Sequence, residues 1–103
     1  LNELYHKGIR IAGKAFPARA SIIIILLDID ENIIPVIFEQ SGSKKIGHYV
    51  PGTKIIIKGD DDINNYDVVV NFAWHINEEI IAYLKTTDFE KDIYTILPSF
   101  KKL

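Results

Sequence analysis

The stretch Gly8-Ile9-Arg10-Ile11-Ala12-Gly13-Lys14-Ala15-Phe16-Pro17-Ala18-Arg19-Ala20 decides the fold class, because an apolar strand over Gly8–Ala12 runs into a glycine turn and then into proline and alanine. Gly13 admits a turn geometry that a Cβ would penalise. Pro17 suits the first position of a helix, where its missing N–H costs nothing. A helix opened in this way aims free N–H groups above the edge of a sheet, a place suited to an anion. The pattern predicts the strand–turn–helix start of an α/β domain.

Outward from that start the chain alternates. A helix is expected over Pro17–Leu27. The β-branched run Ile22-Ile23-Ile24-Ile25 favours a strand by propensity alone, but the proline and alanine start and the polar turn Asp28-Ile29-Asp30-Glu31-Asn32 decide for a helix. The run Ile22–Leu27 is then read as a buried face. Ile33–Phe38 reads as the second strand, with Pro35 marking an irregular start or an edge. A polar loop over Glu39–Lys54 carries Gly42, Gly47, Pro51 and Gly52, and long loops of this kind often serve function. Ile55–Ile57 is the third strand, Gly59–Asn65 a turn or one helical turn, and Tyr66–Phe72 the fourth strand, apolar at its centre as in a sheet covered on both faces. Asn77 with Glu78 and Glu79 opens a second helix, in which Ile76, Ile80, Ile81 and Leu84 recur at helical spacing. A fifth strand over Ile93–Leu97 stops at Pro98. The expected architecture is one three-layer, Rossmann-like α/β domain over residues 1–103, with a mostly parallel sheet of about five strands.

Composition narrows the function classes. The 103 residues are 48% hydrophobic and 25% charged, enough for one domain with a modest core. A formal net charge of −2 offers no basic field for nucleic acid or for a membrane surface; Lys101-Lys102 reads as a solvated tail. The absence of cysteine removes thiolate nucleophiles and cysteine zinc sites, and fits a cytoplasmic protein. Ile22–Leu27 is far shorter than the ~18 apolar residues of a membrane-spanning helix. A chain that begins at Leu1 and has no methionine is expected to be a domain cut from a longer protein.

The motif that would bind a dinucleotide is incomplete. In Gly-x-Gly-x-x-Gly the second glycine makes room for pyrophosphate, and here Ala15 holds that place and Ala18 the third. Glu39, at the end of the second strand, lies farther along than the ~20 residues expected of a ribose-binding acid. Lys14 and Arg19 are candidate phosphate contacts, with a solvated charge as the plain alternative. His48, His75 and Asp60-Asp61-Asp62 lack metal-ligand spacing, so the acidic run is expected to be a solvated turn and His6 a surface residue. No serine sits in the Gly-x-Ser-x-Gly context of a hydrolase.

Four blocks in order carry a family resemblance: Ile11 to Ala20; Lys45-Ile46-Gly47-His48-Tyr49-Val50-Pro51-Gly52-Thr53; Tyr66-Asp67 with Ala73-Trp74-His75 and Glu78-Glu79-Ile80; and Ile96-Leu97-Pro98. Together they resemble the C-terminal domain of the deoxysugar C-methyltransferases, which act on nucleotide-linked sugars. Relative to the family pattern, Ala15, Phe16 and Arg19 depart in the first block, Glu39 replaces an aspartate and His75 an asparagine. The resemblance implies an auxiliary module that packs on an upstream catalytic domain of the same chain. That domain would bind S-adenosylmethionine, so this fragment would hold neither a cofactor nor a catalytic residue. Contacts to a nucleotide-sugar would fall to Gly13, Lys14, Lys45, Tyr49, Thr53 and Trp74, along the carboxyl edge of the sheet. For Trp74 the alternative is packing beneath the Pro51-Gly52 loop. A stand-alone nucleotide-binding or interaction module without enzymatic activity is the competing reading.

Overall fold

The computed structural model describes residues 2–17, 20–40, 42–86, 89, 91–96 and 100–103. A short helix α1 (Asn2–His6) leads into strand β1 (Ile11–Lys14), helix α2 (Ala20–Leu26), β2 (Val36–Glu39) and β3 (Ile56–Gly59). A 3-10 helix (Asp60–Asn65), β4 (Val68–Asn71), a 3-10 turn (Trp74–Ile76), α3 (Asn77–Thr86), β5 (Asp92–Thr95) and β6 (Lys101–Lys102) complete it. The strands form one sheet in the order β3-β2-β1-β4-β5-β6, parallel except for β6. This is the doubly wound α/β order, in which the chain leaves β1 towards one side of the sheet and resumes at β4 on the other.

Side chains alternate between two cores, as period 2 requires. Ile11, Ile37, Val68 and Val70 pack on one face with Ala20 and Ile24 of α2 and with Val50 and Ile55. Ala12, Val36, Phe38 and Val69 pack on the other with Ile63 and with Leu84 of α3. The expected three-layer arrangement is what the chain forms.

Several elements differ in position from the sequence expectation. β1 runs to Lys14, so Gly13 lies inside a strand and makes no turn. A Cβ built on Gly13 would lie 2.8 Å from Ile37 Cγ1 and 2.8 Å from Phe72 Cε2, so glycine is required by close packing. The left-handed residue is Ala15, at φ 67°. The helix starts at Ala20, with the Ala20 N–H donating to the Pro17 carbonyl, so Pro17 precedes it; Ala18 and Arg19 lie outside the described residues. The expected helix end is correct. Asp28 sits at φ 54°, its N–H donates to Ile25 O, and the Ile29 N–H reaches back to Ile24 O, the double bond of a Schellman cap. The run Ile22–Leu27 is not a buried face: Ile24 is buried, while Ile22, Ile25, Leu26 and Leu27 are exposed.

β2 and β3 begin later than expected, after Pro35 and after Ile55. The loop before β3 is ordered against it. The Val50 N–H donates to Ile55 O, Ile57 N–H to His48 O and Gly47 N–H to Ile57 O, so the loop covers the outer edge of β3. Its tip is a turn in which Pro51 and Gly52 (φ 78°) are the central residues and the Thr53 N–H closes on Val50 O, the sequence a type II turn demands. At the other side, β6 is a sixth strand that the sequence reading missed. Lys101 and Lys102 are exposed as expected of a tail, but their backbone pairs antiparallel with Thr95 and Tyr94, and Phe100 stacks on Tyr94 at 4.7 Å. The expected strand over Ile93–Leu97 is β5 at Asp92–Thr95; Leu97 and Pro98 lie outside the described residues.

At the amino edge the Arg10 backbone N–H donates to Asp67 Oδ2 at 2.8 Å, and its guanidinium reaches the same carboxylate. These bonds, the backbone one first, hold the Asp67 carboxyl below the ordinary carboxylate range.

The close contact at Gly13 has a definite sign. In an open strand, Gly→Ala is favourable by roughly 0.5–1 kcal/mol, whereas overpacking a filled core costs about 1–3 kcal/mol. Gly13→Ala is therefore expected to lower the urea midpoint without changing the slope of the transition, and Phe72→Leu in the same chain to recover part of the loss. A midpoint that rises on Gly13→Ala contradicts the packing role.

Candidate functional site

Among the described residues, the buried polar ones are Lys14, Asn71 and Thr95. Each is the last residue of its strand, and they are register partners across β1, β4 and β5. They point to the α3 side, so the carboxyl edge of the sheet carries a row of polar side chains beneath α3. Two networks satisfy it.

In the first, the Lys14 ammonium donates to both oxygens of Asp60, at 2.9 and 3.0 Å. The side chains are only 3% and 9% exposed. The Tyr83 hydroxyl donates to Asp60 Oδ2 at 2.6 Å, and the Lys14 ammonium lies 4.9 Å from the centre of the Tyr83 ring. Burial first, and then the hydrogen bond to Asp60 and its charge, push the Tyr83 hydroxyl up to about 12 from the ordinary 10.0. In the second network the Asn71 amide donates to Asn77 Oδ1 at 2.7 Å, and the Asn77 amide donates to Thr95 Oγ1 at 3.1 Å. Asn71 Oδ1 also accepts the Ala73 N–H, which turns the chain out of β4 towards α3. Asn77 thus fastens the start of α3 down onto the sheet.

Beside the first network, Lys14, Ala15, Glu39, Gln40, Glu79, Ile80 and Tyr83 line a cavity of about 250 Å³ at the ends of β1 and β2. The strained φ of Ala15 belongs to its rim, and its N–H is tied to Phe38 O. Among the described residues, no group of three His, Asp or Glu side chains is placed to hold a metal ion, and no helix is long and apolar enough to cross a membrane.

The residues singled out from sequence divide. Gly13 is enclosed in the sheet, with Ile37 and Phe72 filling the space its side chain would take. Lys14 is at the cavity wall but is no solvated charge. Lys45 reaches the same edge: its ammonium donates to the Phe16 carbonyl and lies 3.6 Å from Glu39 Oε1. Trp74 follows β4, half-buried against the α2-side core, with His75 edge-on at 5.9 Å. Tyr49 and Thr53 do not join them. Tyr49 bridges to Ile56, the first residue of β3. Thr53 ties the adjoining turn, donating to Val50 O and accepting the Ile55 N–H. Both therefore stand towards the amino edge, which corrects their placement along the carboxyl edge.

Asp60, Asn71, Asn77, Tyr83 and Thr95 were missed as site residues. The acidic run suggests a solvated turn, whereas Asp60 is the counter-ion of a buried lysine. The 3-10 helix Asp60–Asn65 itself matches the expected single helical turn.

A family model described as the C-methyltransferase C-terminal domain matches residues 1–98. The chain belongs to that family. No curated protein matches it. In this C-methyltransferase C-terminal domain, the matched region contains both polar networks and the cavity they border.

Two outcomes test the site. Asp60→Asn strands a buried ammonium, for which about 3–5 kcal/mol of stability is lost; the pair Lys14→Met with Asp60→Asn is expected to regain most of it, since no charge is left buried. A double variant no more stable than Asp60→Asn contradicts the pairing. Because the Tyr83 proton is held more tightly in the folded chain, its contribution to stability is complete below pH 10 and is lost as pH rises towards 12. The tyrosinate absorbance difference between the parent chain and Tyr83→Phe is expected to titrate near 12, and to move down in an Asp60→Asn background.

Proposed function

We propose that this domain is the auxiliary C-terminal part of an S-adenosylmethionine-dependent C-methyltransferase acting on a nucleotide-linked sugar, and that it shapes the substrate site without carrying the methyl transfer. Family membership supports the C-methyltransferase setting. The observation that carries the auxiliary role is the state of the carboxyl edge. Its lysine is paired with Asp60, and its tyrosine is held protonated by burial and then by the same carboxylate. A tyrosine hydroxyl pushed up to about 12 is poorly matched to proton transfer near neutral pH, since a general base works best with a pKa near the operating pH.

Among the described residues, the end of β1 does not offer the glycine cradle of a nucleoside cofactor. Gly13 is packed inside the sheet, Ala15 holds the position of the phosphate-facing glycine, and the Phe16 carbonyl is bound by Lys45. S-adenosylmethionine is accordingly assigned to an upstream catalytic domain, which this domain would pack against. A pure interaction module is the second reading, favoured by the exposed Ile22, Ile25, Leu26 and Leu27 of the α2 region.

Thymidine diphosphate added to the isotope-labelled domain is expected to give saturable amide shifts around Lys45 and Trp74, while S-adenosylmethionine gives none. Binding of S-adenosylmethionine with no response to the nucleotide would overturn the assignment.

A further inference from the structure

The cavity under α3 differs chemically from a phosphate site. Of its lining groups, Lys14 is neutralised by Asp60, and Glu39 and Glu79 add two carboxylates. Glu39 has a side chain only 14% exposed, and its nearest cation is Lys45 at 3.6 Å, longer than a charge-assisted hydrogen bond. Glu39 lines the cavity, and this one long contact leaves its carboxylate with acceptor capacity for what enters there. An ammonium has three N–H donors, and Asp60 takes two of those on Lys14. The wall therefore offers carboxylate acceptors, one cationic donor, and the apolar surfaces of Ile80 and Tyr83.

That combination suits a ring that donates through hydroxyls, accepts through one oxygen and presents C–H groups to an aromatic face. It opposes an anion, since the local charge is negative. At about 250 Å³ the space is below the ~300–1,000 Å³ of sites for drug-sized ligands, and corresponds to one ring rather than to a whole nucleotide-sugar.

We propose that this cavity binds a neutral hydroxyl-bearing sugar ring, with Glu39 and Glu79 accepting from its hydroxyls and Tyr83 packing against its C–H face. The inference rests on the function proposed above and assigns the sugar portion of the ligand, not its phosphates, to Glu39, Glu79 and Tyr83. Hexose and ribose share this chemistry, and the test separates them.

Methyl α-D-glucopyranoside, uridine and inorganic phosphate are titrated separately into the isotope-labelled domain, with amide shifts followed at Ala15, Gln40 and Tyr83. Saturable shifts with the glucoside alone assign a hexose, and with uridine alone a ribose; either supports the proposal. Binding is expected to weaken at least tenfold in Glu39→Ala and in Glu79→Ala, the second at a solvent-exposed residue of the cavity wall that belongs to neither core. Shifts with phosphate alone, with neither sugar, or undiminished in both variants overturn it. A response to thymidine diphosphate around Lys45 and Trp74 with a silent cavity overturns this inference and leaves the functional reading standing. Sugar binding without any nucleotide response does the reverse.

Discussion

The arrangement of the carboxyl edge depends on one buried ion pair. A lysine ammonium taken out of water is expensive unless it is paired and hydrogen-bonded, and Lys14 ends the central strand in a place where it is only 2% exposed. Asp60 meets it with both oxygens, and Tyr83 secures Asp60 from α3. Three segments far apart in the chain are thereby fixed to one another: the end of β1, the start of the 3-10 helix after β3, and the middle of α3. The neighbouring Asn71–Asn77–Thr95 bonds do the same for the first turn of α3. Apolar packing alone would allow α3 to settle in several ways over the sheet; two directional networks at strand ends select one.

The pair also redirects the chemistry of the edge. A lysine at the end of β1, in a fold whose ligands bind at strand carboxyl ends, invites the idea of a phosphate contact. Once Asp60 has taken the charge, what remains facing the cavity is a weakly donating wall between carboxylates. Sequence shows the lysine but not its partner, because the two are 46 residues apart and the acidic run containing Asp60 looks like any solvated turn.

The same contrast between local and distant information separates what could be read from the sequence from what could not. The class and most of the strand and helix order were legible in alternating apolar runs, in Pro51-Gly52 and in the polar stop after α2. Strand ends were not. β1 was placed too early because Gly13 looked like a turn, when its cause is the ring of Phe72 pressed against the sheet. The exposure of Ile22, Ile25, Leu26 and Leu27 was missed because a short apolar helix gives no hint of which side meets the core. α1 and β6 escaped notice because five residues and two residues are too short to show a period. Among the candidate site residues, Lys14, Lys45 and Trp74 were found by residue type at strand ends. Tyr49 and Thr53 were placed on the wrong edge because the fold-back of their loop is set by backbone bonds to β3.

The two outer strands bear on whether the sheet can pair with a second copy of itself. On β3 the outer N–H and C=O of Ile57 are engaged by His48 and Gly47, and β6 is two residues long and carries only lysines, one of them 3.3 Å from Asp92. Unpaired strand edges are what allow sheets to join into fibrils. Among the described residues, one rim is partly covered by the chain itself and the other carries like charges, so each edge resists pairing with a second copy of the sheet.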